Sequence, residues 1–169
     1  MLPRVVALSW AALLFSALAV ADPPEVEPGI LVRVFEVAPG LRNVPELPAD
    51  QLPNVVRVVD ELRLTTREDF GGVEGPFVTL VEGYLKVEEP ASYNLRLISD
   101  DGSKLWLNGS LLIDNDGLHG PEGRGVMIDL RRGLHPVRIA HFDAGGGQHL
   151  ELQWRPPASG APPLGANSP

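Results

Sequence analysis

Carboxylates crowded into a turn are suited to holding a hard divalent cation, and this chain has such a place. Asp100 and Asp101 stand side by side ahead of Gly102. Calcium takes about six to eight oxygen ligands. Consecutive side chains of an extended strand point to opposite faces, but at a turn two of them can converge on one oxygen pocket. An ion there would screen their repulsion, and its open positions could take a vicinal pair of sugar hydroxyls instead of water. Asp-Asp-Gly is equally an ordinary turn, because Asp bonds nearby backbone and Gly accepts positive φ. A second stretch, Asp143-Ala144-Gly145-Gly146-Gly147-Gln148, has two readings as well. Its glycines let backbone carbonyls approach an ion or ligand closely, with Asp143 and Gln148 adding side-chain oxygens, or they make a flexible hairpin connection. Trp106, between Leu105 and Leu107, faces away from the core if the leucines face it. A sugar ring could stack on the indole there, or a neighbouring loop could cover it.

Other chemistries lack their residues. The chain has no cysteine, which removes thiolate nucleophiles, thiolate zinc sites and iron–sulfur clusters. Asp114, Asn115 and Asp116 do not extend to an EF-hand loop, so they read as a turn cluster, with His119 in its hydrogen bonding. His135, His141 and His149 have no metal-ligand spacing and read as structural or surface residues. No nucleophile elbow, phosphate-cradling loop or dinucleotide fingerprint occurs, and no segment marks a glycosidase carboxylate pair. The formal net charge of −8 opposes binding to nucleic acid or anionic lipid and is compatible with divalent cations and neutral sugars.

The elements that must position these residues read as β-strands. Gly and Pro punctuate short apolar runs, and no window carries a helical stripe. Strands are expected at Ile30–Val37, Val55–Leu64, Phe77–Val87, Ser92–Ser99, Lys104–Leu107, Leu111–Asp114, Val126–Leu130, Leu134–Phe142 and His149–Arg155. Asn108-Gly109 is a strong hairpin signal. The last strand alternates, with Leu150, Leu152 and Trp154 on the face expected to meet the core. So many short strands imply a single all-β antiparallel sandwich or barrel.

The ends read differently. Arg4, the apolar run Val5–Val20 and the small-x-small Ala19-Val20-Ala21 make residues 1–21 a secretory signal peptide; the run is short for a membrane anchor. Residues 22–28 read as a flexible Pro/Glu-rich leader. Residues 157–169, rich in Pro, Gly and Ala, read as a disordered tail. An exported chain without cysteines suits a bacterial envelope or exterior.

Five segments together resemble one family. Ser99-Asp100-Asp101-Gly102-Ser103-Lys104-Leu105-Trp106-Leu107-Asn108-Gly109 is similar to the signature hairpin of the protective-antigen-type (PA-14) domain. Glu82–Val87, Asp114–Gly120, Gly133–Ile139 and Phe142–Trp154 resemble that family's neighbouring segments in order and spacing, the likeness running over about residues 29–156. Leu134 departs from it, standing where an aromatic is common, which bears on packing. The resemblance implies a PA-14-like, jelly-roll-like β fold. In sugar-binding members it further implies two aspartates joined by a cis peptide that hold a calcium ion touching sugar hydroxyls. Here those are Asp100 and Asp101, with Asp143, Gly145, Gly146, Gly147 and Gln148 as the second binding loop. The expected function is an exported, adhesin-like, non-catalytic module binding a glycan or cell-surface polysaccharide with Ca2+, in the periplasm, on the surface or outside the cell. The alternative is a structural or adaptor module of the cell envelope with a protein partner.

Overall fold

The computed structural model describes residues 27–155. The expected signal peptide, most of the leader and the tail lie outside the described residues. Among the described residues ten strands form two antiparallel sheets: β1 (Ile30–Glu36), β2 (Val55–Val59), β3 (Arg63–Leu64), β4 (Phe77–Val87), β5 (Ala91–Asp100), β6 (Ser103–Leu107), β7 (Ser110–Asn115), β8 (Glu122–Leu130), β9 (Gly133–Asp143) and β10 (His149–Arg155). One sheet has the order β2-β1-β4-β9-β6-β7 and the other β3-β10-β5-β8. This is the all-β sandwich expected from the punctuation of the sequence.

The strands follow from period-two patterning. In β5, Ala91, Tyr93, Leu95 and Leu97 are buried while Asn94 and Arg96 are exposed. In β9, Val137 and Ile139 turn inward. Val32, Val34, Val81, Leu105, Leu107, Val137 and Ile139 from the larger sheet meet Leu64, Leu95, Leu97, Leu130 and Leu150 from the smaller one. Full burial of such a side chain contributes roughly 1.5–3 kcal/mol, so this interface carries the fold without disulfides. At the β6–β7 hairpin, Asn108 (φ 51°) and Gly109 (φ 80°) are both left-handed, as the Asn-Gly turn requires.

Two expectations are corrected. The single strand expected over 55–64 is two: β2 pairs with β1 in the larger sheet and β3 with β10 in the smaller. The chain changes sheets between Asp60 and Leu62, burying Leu62 on the way. Trp154 is at the rim, not in the core. It is 38% exposed and stacks on Tyr93, centroids 5.3 Å apart; the smaller Tyr93 ring takes the interior place.

A short 3-10 turn, Arg67–Phe70, lies between β3 and β4. Thr66 caps it, accepting from the Asp69 N–H, while the Asp69 carboxylate accepts from the Thr66 N–H. The cap delivers Phe70 into the core, 4.9 Å from Phe77 and 5.8 Å from His141. On the opposite side of the larger sheet, Phe35, Val78 and Phe142 are register partners and are buried. The Pro-rich segment between β1 and β2 reaches across that side, its Val44 N–H donating to Asp116 beyond β7 over 2.8 Å.

Candidate functional site

Three chain segments meet where β5, β9 and β10 end. β5 closes on Asp100, and a cis peptide joins Asp100 to Asp101. β9 closes on Asp143, and the glycine loop leads from it into β10, whose first residue His149 pairs in register with Asp100. The structure therefore brings Asp100, Asp101, Asp143 and Gly147 to one end of the sandwich.

Asp101 organises this end. It is buried, and its two carboxylate oxygens accept from separate loops: Oδ1 from the His119 N–H (3.2 Å) and Oδ2 from the Ala144 N–H (2.9 Å). Each oxygen keeps a further lone pair. Gly102 is tightly enclosed, since a Cβ there would sit 2.6 Å from the Gly117 nitrogen and 2.7 Å from Phe142 Cε1. Gly147 has a different reason to lack a side chain: its Cβ would stand 2.9 Å from Asp100 Oδ2. The Asp100 carboxylate thus occupies the space beside Gly147 that a side chain would need. Gly145 (φ 118°) and Gly146 (φ 111°) need left-handed backbone and are exposed. Gln148 is half-buried and directly precedes β10.

Beneath the acidic end lies a row of buried polar side chains. Thr79, His141, Ser103 and Asn115 are register partners across β4, β9, β6 and β7, and all four are fully buried. Ser103 Oγ lies 2.7 Å from Ser99 Oγ, to which Asn115 also donates. His141 Nε2–H donates to the Asp100 carbonyl oxygen over 2.9 Å. Burial lowers the His141 pKa to about 4, against the raising influence of the Asp100 hydrogen bond and the Asp101 charge. The ring is therefore neutral at pH 7. His119 is held differently. Burial works to lower its pKa, but Asn115 and Gly120 carbonyl oxygens at its two ring nitrogens outweigh this and raise it.

The carboxylates repel one another. Burial and the neighbouring Asp101 charge raise the Asp100 pKa. Burial pushes Asp143 up to about 6, against the lowering Gly145 hydrogen bond and helped by the Asp101 and Asp100 charges. Asp143 Oδ1 accepts from the Gly145 N–H over 2.6 Å, while its buried Oδ2 has no partner among the described residues. A buried carboxylate oxygen without a donor, next to two further carboxylates, is suited to a cation. Among the described residues no three His, Asp or Glu side chains already stand at ligand distances. The side chains that could hold an ion here are the neighbouring Asp100 and Asp101. Their donors are hard oxygens, as calcium prefers.

Trp106 is elsewhere. It pairs with Arg138, five residues before Asp143 on β9, or about 17 Å along the strand at 3.3 Å per residue. The structure does not bring it to the acidic end. The sequence reading also missed the part His141 plays. Its signal was the alternation Val137, Ile139, His141, Asp143, which places the imidazole on the inner face directly before the acidic loop.

Solved structures of this shape are numerous. A β-glucosidase from Kluyveromyces marxianus matches with a TM-score of 0.63 at 19% identity, over 75% of this chain and 16% of that one. This chain therefore spans about a sixth of that enzyme. A structure described as the PA14 sugar-binding domain of an RTX adhesin matches with a TM-score of 0.64 at 20% identity, over 78% of this chain and 91% of the other. The A domain of an epithelial adhesin from Candida glabrata, solved in complex with Galβ1-3GlcNAc, matches with a TM-score of 0.56 at 9% identity, over 78% and 83%. No curated protein matches the sequence. The profile of the PA14 domain matches residues 26–168, nearly the whole chain, and with the two-sheet fold and the acidic hairpin in place the chain belongs to the PA14 domain family.

Proposed function

We propose that this chain is an exported, non-catalytic carbohydrate-binding module whose ligand is a glycan held with the help of calcium. The observation that carries the reading is the close approach of Asp100 to the glycine loop: its carboxylate lies where a Gly147 side chain would be, and its charge is felt by Asp143, whose buried Oδ2 is unpartnered among the described residues. Asp100 and Asp101 are the acidic ligands, and Asp143 completes the negative charge around them. A calcium ion bound here supplies open coordination positions for vicinal hydroxyls. The residues do the rest: Asp101 ties the two flanking loops together, and the glycines keep the rim low enough for a saccharide to reach the pocket. Gly145, Gly146 and Gln148 lie on that rim. The likeness to a sugar-binding PA14 domain and to an adhesin solved with a disaccharide supports the ligand class.

Among the described residues no helix is long and apolar enough to cross a membrane. The proposed organisation is a cleaved signal over 1–21, a leader over 22–28, the β domain over 29–156 and a tail over 157–169, with the mature protein in the periplasm, on the surface or outside the cell. A glycan array in saturating calcium and again in chelator tests the function, alongside calorimetric titration with calcium. Calcium-dependent binding that Asp101→Asn abolishes is the expected result. Equal recovery of a protein partner in chelator, with no glycan bound, would overturn it in favour of an envelope adaptor.

A further inference from the structure

The outer face of the larger sheet carries an aromatic and cationic patch that the acidic end does not use. The register places Leu31, Glu82, Arg138 and Trp106 in one row across β1, β4, β9 and β6. Val137 and Ile139 beside Arg138, and Leu105 and Leu107 beside Trp106, are buried, so this row points away from the core. The Arg138 guanidinium lies 4.8 Å from the Trp106 ring centroid. Glu82, which lines the same cavity, is paired with Arg33. Among the described residues Arg138 makes no ion pair. Two guanidinium groups thus stand on this face with one carboxylate between them, a locally positive patch on a chain of net charge −8. Tyr84, two residues beyond Glu82 on the same face, is 47% exposed. Tyr84, Trp106, Pro136 and Arg138 line an open cavity of about 620 Å³.

An aromatic surface with a guanidinium that has no carboxylate partner among the described residues selects for a ligand with one apolar face and one anionic group. The C–H face of a pyranose packs on Tyr84 and the exposed part of the indole. A ring carboxylate takes the planar fork of Arg138, which accepts carboxylates with two parallel hydrogen bonds. A neutral sugar would use the aromatic surface and leave the cation unanswered. We propose that this patch is a second saccharide subsite, independent of calcium, that takes a uronic acid residue of an anionic polysaccharide. The choice of a saccharide rests on the carbohydrate reading above; the demand for a negative charge rests on Arg138 alone.

The test is a titration in excess chelator with trigalacturonate, a neutral galactose trisaccharide and triglutamate, followed by NMR at the Trp106 indole N–H. Trigalacturonate is expected to shift that signal in the wild type and in Asp101→Asn alike. Arg138→Gln should weaken it about tenfold, the loss of about 1.4 kcal/mol, and Tyr84→Ala should also weaken it. Trigalacturonate binding that Arg138→Gln leaves unchanged, or no binding, overturns the proposal, as does equally tight binding of the neutral trisaccharide or of triglutamate. Trigalacturonate binding in chelator with no calcium-dependent glycan on the array would retire the calcium reading and keep this one. Calcium-dependent glycan binding with no trigalacturonate response would do the reverse.

Discussion

His141 and Asp100 are joined through the main chain: the imidazole Nε2–H donates to the Asp100 carbonyl oxygen over 2.9 Å. The bond reaches from the hydrophobic interior to the base of the acidic turn. It settles the ring's tautomer, because a carbonyl oxygen can only accept. His141→Leu removes that donor and breaks the polar row with Thr79 and Ser103. The expected cost is about 1–3 kcal/mol, the usual penalty for an unsatisfied buried group. Chemical denaturation in chelator measures it, and an unchanged midpoint would show that the bond contributes nothing.

Asp101 holds His119 and Ala144 through separate oxygens. Asp101→Ala should therefore weaken the fold even without calcium, by at least about 2 kcal/mol, because hydrogen bonds to a charged group are the stronger kind. Asp101→Asn keeps one acceptor and should lie between. A thermal melt in chelator separates this structural part from the calcium part, since calcium should raise the wild-type midpoint and neither variant's.

Buried Gly102 and exposed Gly147 should respond differently. Gly102→Ala drives a methyl into the Gly117 backbone and the Phe142 ring, neither of which can yield, so a loss of about 1–3 kcal/mol or more is expected. Gly147→Ala meets the movable end of Asp100. Its stability in chelator should stay within about 0.5 kcal/mol of wild type, while calorimetry should show weaker calcium binding. Equal loss of stability in both variants would contradict the assignment of Gly147 to the ion pocket.

The acidic end should leave a pH signature in the calcium-free protein. Asp143 is raised to about 6 from 3.8, so the folded state holds its proton more tightly than the unfolded chain. That contribution is complete below about pH 4 and is lost as pH rises through 6. His141 acts in the opposite sense: lowered to about 4 from 6.5, it contributes fully above pH 6.5 and loses that contribution as pH falls through 4. Asp143→Asn removes only the first effect. In chelator the variant should gain stability relative to wild type as pH is raised from 4 to 7. Denaturation midpoints at both ends of that range would show it, and parallel curves would refute it.

The sequence by itself determined the fold class, the Asn108-Gly109 hairpin and the candidate acidic pair. Each rests on a local signal: period-two burial, a turn dipeptide, or neighbouring carboxylates. The capped turn at Thr66–Asp69 was equally local and passed unnoticed because so short a turn carries no apolar stripe. Tertiary structure decided the rest. Only strand register could put Thr79, His141, Ser103 and Asn115 in one row, since the four lie on separate strands and no spacing along the chain links them. Register likewise carried Trp106 away from Asp143 and set it against Arg138, and the crowding of Tyr93 left Trp154 at the rim. A β-sheet pairs residues far apart in the chain, so what a strand residue touches across the sheet is not encoded in its neighbours.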